Sequence, residues 1–247
     1  DEQVILSDIN LRLDSGTFTA IVGRNGSGKS TLLKCLIGRI PLQKGQALLE
    51  GQPIQKWRGI ERAAKLAWLP QRQAISDPVP VWLLVSAARY RFEETHAKRK
   101  DKALETLERI GMLTYANRLW HSLSGGEAQR VALATLLAQE CPFWLLDEPA
   151  NHLDPAVQHQ VYSQLIQAWT SGIGMTVVTH DLNLLMRNVD AKQASQIRVL
   201  GLNDGTCAFQ MLLTDDRLPD ALSELYGIKV DLIIHNETPL LVFGSDP

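Results

Sequence analysis

The sequence predicts an α/β fold with a mixed core sheet, and three observations predict it. A glycine-rich segment at residues 23–31 follows an apolar run and precedes a helical one. Two later apolar runs, at 143–148 and 175–181, end in titratable side chains. Before those runs, residues 72–122 carry apolar residues at helical spacing. Strand patterns that alternate with helical patterns favour a sheet covered by helices.

The residues ahead of the glycine-rich segment are predicted to form strands. Residues 4–22 alternate in polarity and then become apolar, which indicates antiparallel strands leading into the loop. No aromatic residue precedes Phe18, which follows Gly16 on the last of these strands, and we expect Phe18 to be buried. Residues 45–70 give further strands, with Gly45 and Gly51-Gln-Pro53 as turn signals.

The glycine-rich segment fits the pattern G-x-x-x-x-G-K-[ST], a loop between a strand and a helix that surrounds phosphate groups. Loop N–H groups and the N-terminus of the following helix both attract anions. The pattern predicts that Lys29 reaches the β- and γ-phosphates and that the Ser30 hydroxyl binds Mg²⁺. The alternative is a glycine- and serine-rich turn before an ordinary helix. The predicted nucleotide-binding residues are Gly23, Arg24, Asn25, Gly26, Ser27, Gly28, Lys29, Ser30 and Thr31.

The stretch from about 72 to 122 is the candidate for a helical subdomain. Apolar residues recur there at helical spacing with charges between them, at Ala103, Leu104, Leu107 and Ile110. The segment 79–90 is more apolar and aromatic than a solvated surface needs. Its side chains form either the core of the subdomain or a docking surface for a partner, and both can hold for different residues.

Ser124-Gly-Gly-Glu127 stands ahead of an apolar helix and permits two interpretations. Ser-x-x-Glu is a capping box, in which each end of the motif binds the other's backbone N–H. The same four residues in the company of a phosphate loop also indicate a nucleotide-contacting motif. The short segment alone does not decide between the two.

Titratable residues follow two apolar strand patterns downstream. Asp147 and Glu148 end the first, and such acids at the carboxyl edge of a sheet lie beside bound nucleotides. His180 ends the second. The structural alternatives are a polar strand end turned by proline and a surface histidine. Asp154 followed by Pro155 is a helix N-cap with proline at the first helical position, which by itself explains both residues.

Taken together and in this order, the motifs resemble the ATP-binding cassette (ABC) family of ATPases over nearly the whole chain. By that resemblance residues 23–31 are the Walker A loop and Gln71 is the Q-loop glutamine. The signature covers Leu123, Ser124, Gly125, Gly126 and Glu127, and Walker B ends in Asp147 and Glu148. The D-loop lies at 151–154 and ends in Asp154, and His180 is the switch histidine.

The resemblance implies a role for each of these residues. Ser30, Gln71 and Asp147 bind Mg²⁺, while Lys29, Gln71, Glu148 and His180 serve the hydrolysis of ATP. Glu148 polarises the attacking water, and a neighbouring carboxylate should raise its proton affinity. His180 contacts the γ-phosphate. Ser124, Gly125, Gly126, Glu127 and Asp154 act across the interface of a head-to-tail ATP sandwich dimer, so one chain holds half of each site.

The same resemblance implies one cassette over residues 1–247. Residues 1–71 and 141–247 form the nucleotide-binding core with an N-terminal antiparallel β-subdomain, and 72–140 form the inserted α-helical subdomain. Partners are a second copy of the chain, the transmembrane permease and, indirectly, a substrate-binding protein. The tail and Ala88-Arg-Tyr90 resemble cassettes of bacterial importers of iron chelates, haem and cobalamin.

Composition is consistent with this class. The 247 residues carry a formal net charge of −2, which provides no basic field for nucleic acid. No run approaches the roughly 18 apolar residues that span a bilayer. Cys35, Cys141 and Cys207 are widely spaced, as free thiols in a reducing compartment are. We therefore expect a peripheral protein at the cytoplasmic face of the cell membrane.

Two questions stay open at this stage. Family members stack adenine on an N-terminal aromatic residue, and we expect that residue to lie upstream of Asp1, although adenine held in another way is the alternative. An exporter ATPase, a soluble non-transport ATPase and an inactive regulatory cassette are the competing functions. The inactive form is disfavoured because Lys29, Gln71, Ser124, Asp147, Glu148 and His180 are all present.

Overall fold

The computed structural model describes residues 4–71, 75, 77–236 and 238–244. Its strands are β1 (Phe18–Val22), β2 (Leu48–Leu49), β3 (Gln52–Pro53), β4 (Leu66–Leu69), β5 (Phe143–Asp147), β6 (Gly174–Val178), β7 (Ile197–Asn203), β8 (Thr206–Leu212), β9 (Val230–His235) and β10 (Thr238–Phe243). Its α-helices are α1 (Lys29–Leu36), α2 (Gly59–Ala63), α3 (Val81–Ala87), α4 (His96–Arg109), α5 (Gly125–Ala138), α6 (Pro155–Thr170), α7 (Leu182–Met186), α8 (Ala191–Ala194) and α9 (Leu218–Tyr226).

The core is a six-stranded sheet in the order β4-β5-β6-β1-β7-β8. All neighbours in it are parallel except β7 and β8, which form an antiparallel hairpin. Every residue of β1, β5 and β6 is buried, as strands covered by helices on both faces must be. Further antiparallel pairs are β2–β3 and β9–β10. The predicted fold class, a mixed α/β fold with antiparallel pairs beside the core sheet, is confirmed.

The prediction of antiparallel strands over residues 4–22 is wrong in detail. Phe18–Val22 is a parallel strand between β6 and β7, and described residues ahead of it carry no strand. Four apolar residues of this leading segment, Leu6, Ile9, Leu11 and Leu13, instead pack against a buried cluster that includes Ile21 and Leu33. The polarity pattern therefore records one-sided burial of a segment that lies outside the ladder. Phe18 is fully buried and meets Trp169 edge to face, as expected for its burial.

Helices α3, α4 and α5 pack on one another around a buried apolar cluster of their own, which includes Val81, Val85, Leu107 and Val131. Within the apolar segment 79–90, Val81 and Val85 are buried, whereas Leu83 and Tyr90 are exposed. The segment therefore contains both core and surface residues. Residues 72–74, where the helical stretch was predicted to begin, lie outside the described residues.

The C-terminal hairpin β9–β10 is fastened to α7. The Asn183 side chain accepts from Leu241 N and donates to Leu241 O, at 2.8 and 2.9 Å. This pairing fixes the start of α7, whose N-cap Asp181 directly follows His180.

All three cysteines are free, and burial raises the pKa of each thiol, that of Cys141 to about 11. None of the described helices is long and apolar enough to cross a bilayer.

Candidate active site

The motif residues converge because of the strand order. Strands β4, β5, β6 and β1 are parallel neighbours, so their carboxyl ends lie side by side. Gln71 follows β4, Asp147 and Glu148 end β5, His180 follows β6, and the phosphate loop follows β1. Ligands of such sheets bind beyond the carboxyl ends of the strands.

The phosphate loop needs glycine at its first position. Gly23 has φ +153°, and a Cβ there would lie 2.2 Å from the Leu202 carbonyl oxygen. Lys29 Nζ folds back over the loop and donates to the carbonyls of Gly23 and Arg24, at 2.7 and 2.9 Å. Burial lowers the pKa of Lys29, and the nearby carboxylates of Glu148 and Asp147 oppose that shift. The Lys29 ammonium group is thus buried at the loop and held by two of the loop's own carbonyls.

Ser30 and Asp147 form the second feature. The Ser30 hydroxyl donates to Asp147 Oδ1 at 3.0 Å, and the Asp147 side chain is almost fully buried. Burial is the main cause that raises the pKa of Asp147, with Glu148 adding to it and the Ser30 hydrogen bond opposing it. A hydroxyl and a carboxylate are the hard oxygen ligands that Mg²⁺ takes alongside substrate phosphates. These residues therefore fit a magnesium ion bound together with a nucleotide.

Glu148 is the centre of a hydrogen-bond network. Gln71 Nε2 donates to Oε2 at 2.6 Å, and His180 Nε2 lies 2.7 Å from Oε1. The Asn151 side-chain amide also donates to Oε2. The backbone of Glu148 lies in the left-handed region with φ +51°, although it is not a glycine. Side chains that follow two neighbouring strands, together with one from the turn after Glu148, therefore converge on the Glu148 carboxylate.

An open cleft of about 1000 Å³ lies over these groups. It contains most of the predicted phosphate loop together with Gln71, Glu148 and His180, all of which point into one space. Its lining residues are Val4, Ile5, Asn25, Gly26, Gly28, Lys29, Ser30, Thr31, Gln71, Glu148, Asn151, His152, His180, Asp204 and Gly205.

The signature residues lie away from this cleft, at the start of α5. Ser124 caps α5 by accepting from Glu127 N, and the Glu127 carboxylate accepts from Ser124 N at 2.7 Å. That bond is the main cause that lowers the pKa of Glu127. Asp154 caps α6 in the same way, by accepting from Val157 N. Ser124 and Asp154 are both helix N-caps, and neither of them lines the cleft.

The starts of α5 and α6 are packed together. A Cβ on Gly126 would come within 2.9 Å of Val157, whereas one on Gly125 would meet Leu153 at an ordinary 3.8 Å. The second signature glycine is therefore the one that the contact with α6 requires.

Sequence reasoning missed several residues of the cleft. Asn151 lies one turn after Glu148, and its amide N–H donates to the Glu148 carbonyl, but no strand end marks it. Asp204-Gly205 is a turn that the Asp-Gly signal for hairpins could have located. Tertiary contacts bring that turn beside the phosphate loop: the Gly205 N–H donates to the Ser27 carbonyl at 3.2 Å, and the Gly205 carbonyl accepts from Ser7 N at 2.9 Å. His152, to which the sequence analysis assigns no role, also lines the cleft.

Chemically, the cleft combines a loop for phosphates, a cation on a flexible stem, oxygen ligands for a divalent ion and a carboxylate that can polarise water. These are the parts of a P-loop nucleoside triphosphatase. A family model described as ABC transporter matches residues 6–151, more than half of the chain. The chain belongs to this family, whose ATP-binding cassettes are ATPases.

Several proteins are similar to this chain over almost its full length. The hemin import ATP-binding protein HmuV of Pseudomonas fluorescens is 32% identical, covering 97% of this chain and 94% of that protein. HmuV of Pseudomonas putida is 35% identical, covering 96% and 93%. The manganese transport system ATP-binding protein MntB of Listeria innocua is 35% identical over 74% of this chain and 76% of that protein.

Solved structures agree on the fold. A metal-chelate type ABC transporter in an inward-facing conformation matches with a TM-score of 0.78 at 24% identity, covering 97% of this chain and 90% of that chain. A dimeric ATP-binding cassette in a post-hydrolysis state, bound to ADP and phosphate, matches with a TM-score of 0.74 at 26% identity. The second match covers 85% of this chain and 91% of that chain.

Proposed function

We propose that this protein is the ATP-hydrolysing subunit of a membrane ABC importer whose cargo is haem or another metal chelate. One observation supports the proposal: the side chains predicted to bind phosphate and to serve hydrolysis line one cleft, in a chain aligned almost end to end with hemin import ATP-binding proteins. These relatives favour import over the competing export and non-transport functions. Iron chelates and cobalamin remain within the proposed cargo group.

The proposed chemistry assigns a step to each group. Lys29 exchanges its two loop carbonyls for the β- and γ-phosphates of ATP. Ser30, Asp147 and Gln71 would hold Mg²⁺, which when bound neutralises charge on the phosphates. Glu148 polarises the attacking water, and His180 orients the γ-phosphate beside it. The residues of the phosphate loop, 23–31, surround the phosphates with backbone N–H groups.

The proposed active unit is a pair of chains. Ser124, Gly125, Gly126, Glu127 and Asp154 lie outside the cleft of their own chain, and we assign them to the ATP bound by a second copy. The dimeric cassette with ADP and phosphate supports this assignment as a relative that forms a pair. Closure around ATP and release after hydrolysis then supply the two states that a transporter alternates between.

The remaining parts of the proposal concern organisation and partners. Residues 1–71 and 141–247 would act as the nucleotide-binding core and 72–140 as the helical subdomain, within one cassette. The cassette would bind a transmembrane permease at the cytoplasmic face of the membrane. A substrate-binding protein would deliver cargo to that permease.

The test is Glu148→Gln, which keeps the shape of the side chain and removes its charge. We expect ATP turnover to fall at least a hundredfold while ATP binding persists and the chain becomes dimeric with ATP and Mg²⁺. Turnover and mass by light scattering are measured side by side with Glu224→Gln, an exposed carboxamide substitution on α9 that should change neither. Unchanged turnover in Glu148→Gln would remove Glu148 from the water-polarising role.

A further inference from the structure

Arg89 is a buried charge that the proposed hydrolysis does not use. It lies just after α3, in the Ala88-Arg-Tyr90 segment, and is only 2% exposed. Buried arginines are rare, and one that persists must have each of its donors met by a partner.

Four hydrogen bonds hold the Arg89 guanidinium to the segment after α3 and to the end of α5. Its Nε and Nη2 form a fork on the Glu94 carboxylate, at 2.9 and 2.7 Å. Its Nη1 donates to the Ala138 carbonyl at 2.9 Å and to Glu140 Oε1 at 2.7 Å. The fork orients the guanidinium, so that the remaining edge faces the end of α5. Only an arginine provides this set of directed donors on one planar group.

Arg91 completes the contact. Its Nη2 donates to the carbonyls of Gln139 and Glu140, at 2.8 and 3.2 Å. The last carbonyls of a helix have no partner within the helix and carry the negative end of its dipole. Arg89 and Arg91, which we call the arginine clamp, therefore fasten the carboxyl end of α5 to the chain that leaves α3.

Helix α5 connects this clamp with the signature. It runs for 14 residues from Gly125 to Ala138, about 21 Å, and Ser124 is its N-cap. At the signature end, the helix packs against Val157 of α6 at Gly126. A helix of this length behaves as a rod, so a shift at its clamped end moves Ser124 as well.

We propose that Arg89 is a positioning residue that makes α3 and the signature helix α5 move as one body, and thereby sets how Ser124 is presented to a second copy of the chain. The proposal rests on the proposed function, in which the signature contacts ATP held by the partner copy. Arg89 contacts the opposite end of α5 from the signature, so it acts on that contact only through the helix.

The test compares variants in the Glu148→Gln chain. Arg89→Met keeps the apolar stem and removes every hydrogen bond of the guanidinium. We expect the dissociation constant of the ATP-bound dimer to rise at least tenfold. ATP affinity of the monomer, measured at protein concentrations below dimerisation, should stay within twofold, because the phosphate loop is untouched. A general loss of stability would instead weaken both the dimer and the binding of ATP by the monomer.

Two further variants test whether the effect comes from the hydrogen bonds of Arg89. Arg89→Lys keeps the charge but cannot make the fork and the two bonds to α5 together, so we expect an intermediate weakening of the dimer even if Arg89→Met fails to fold. Arg99→Met is the matched control, since Arg99 donates to the Phe92 carbonyl in the same connecting segment and is part of α4. Its dimer affinity should equal that of the parent.

Hydrogen exchange on the nucleotide-free chains supplies an independent arm. Amides of residues 125–128 should exchange faster in Arg89→Met than in the parent or in Arg99→Met. If the Glu148→Gln parent does not dimerise with ATP, pairing of the isolated chains fails, and hydrogen exchange alone decides whether Arg89 positions α5. Unchanged exchange at 125–128, or a dimer affinity of Arg89→Met within twofold of the parent, overturns the proposal.

Discussion

Glu148 illustrates how side chains around one residue stabilise an unfavourable backbone. A left-handed conformation in a residue with a Cβ costs about 1–3 kcal/mol, and it persists where the surroundings fix it. Here the Glu148 carboxylate accepts hydrogen bonds from Gln71 and Asn151 and contacts His180. The backbone N–H of Glu148 donates to the Val178 carbonyl. The carboxylate is therefore held in place before any nucleotide arrives.

Asn151 is the member of this network with no assigned role, and we predict that it positions Glu148. Asn151→Ala removes one donor to the carboxylate, so kcat should fall about 3- to 30-fold while KM for ATP stays within twofold. Steady-state ATP turnover measures both. Asn117→Ala, an exposed change in the helical region, is the control. A change in KM with unchanged kcat would instead make Asn151 a nucleotide contact.

At this scale the motifs predicted Lys29, Ser30, Gln71, Glu148 and His180, and the structure brings them together in one region, although their roles stay predictions. Such residues follow strand ends, which parallel pairing aligns. Asn151, Val4 and Asp204 carry no comparable signal. They reach the cleft through a turn, a leading segment and a hairpin whose places depend on tertiary packing.

At the scale of elements, the periodicity of the sequence predicted which residues are buried better than it predicted which segments form hydrogen-bonded strands. Strands β5 and β6 were predicted from their continuous apolar sequences. Their sequences are apolar throughout because both faces of each strand are covered. The segment before Phe18 gave the same alternation, yet Leu6, Leu11 and Leu13 only lie against the core. Alternation reports which side chains are covered and leaves open whether the backbone joins a ladder.

The contact between α5 and α6 yields an element-scale prediction. Gly126→Ala would push a methyl group against both branches of Val157, at 2.9 and 3.1 Å, and displace the start of α5. We expect a loss of about 1–3 kcal/mol in the free energy of unfolding, measured by urea titration. Gly125→Ala is the matched control, because its methyl group meets only ordinary contact distances and alanine favours a helix. Equal stability of the two variants would contradict this packing.

At the scale of the whole molecule, the active-site parts are divided between two surfaces. The cleft holds the phosphate loop and Glu148, while the signature and Asp154 cap helices elsewhere. Under the proposed function, a single chain binds nucleotide with the first set and presents the second set to a partner copy. Binding and pairing should therefore have separate thermodynamic signatures.

Thermal unfolding of the Glu148→Gln chain separates nucleotide binding from pairing, because this variant is expected to hydrolyse ATP very slowly. ATP at a hundred times its dissociation constant should add about 2.7 kcal/mol of stability, or roughly 5–10 °C in Tm for a domain of this size. If the bound chains pair, Tm with ATP should also rise with protein concentration, whereas Tm without ATP should not. Chelation of Mg²⁺ should reduce both effects, because Ser30 and Asp147 then face the phosphates without a cation.

The control is the same chain with Lys29→Ala, which lacks the cation of the phosphate loop and should respond weakly to ATP. A shift that depends on ATP but not on protein concentration would mean that nucleotide binds and the isolated chains do not pair. In that case pairing would need the membrane partner, since the hydrophobic and polar contacts of two signature surfaces would be too weak alone to offset the entropy lost on association.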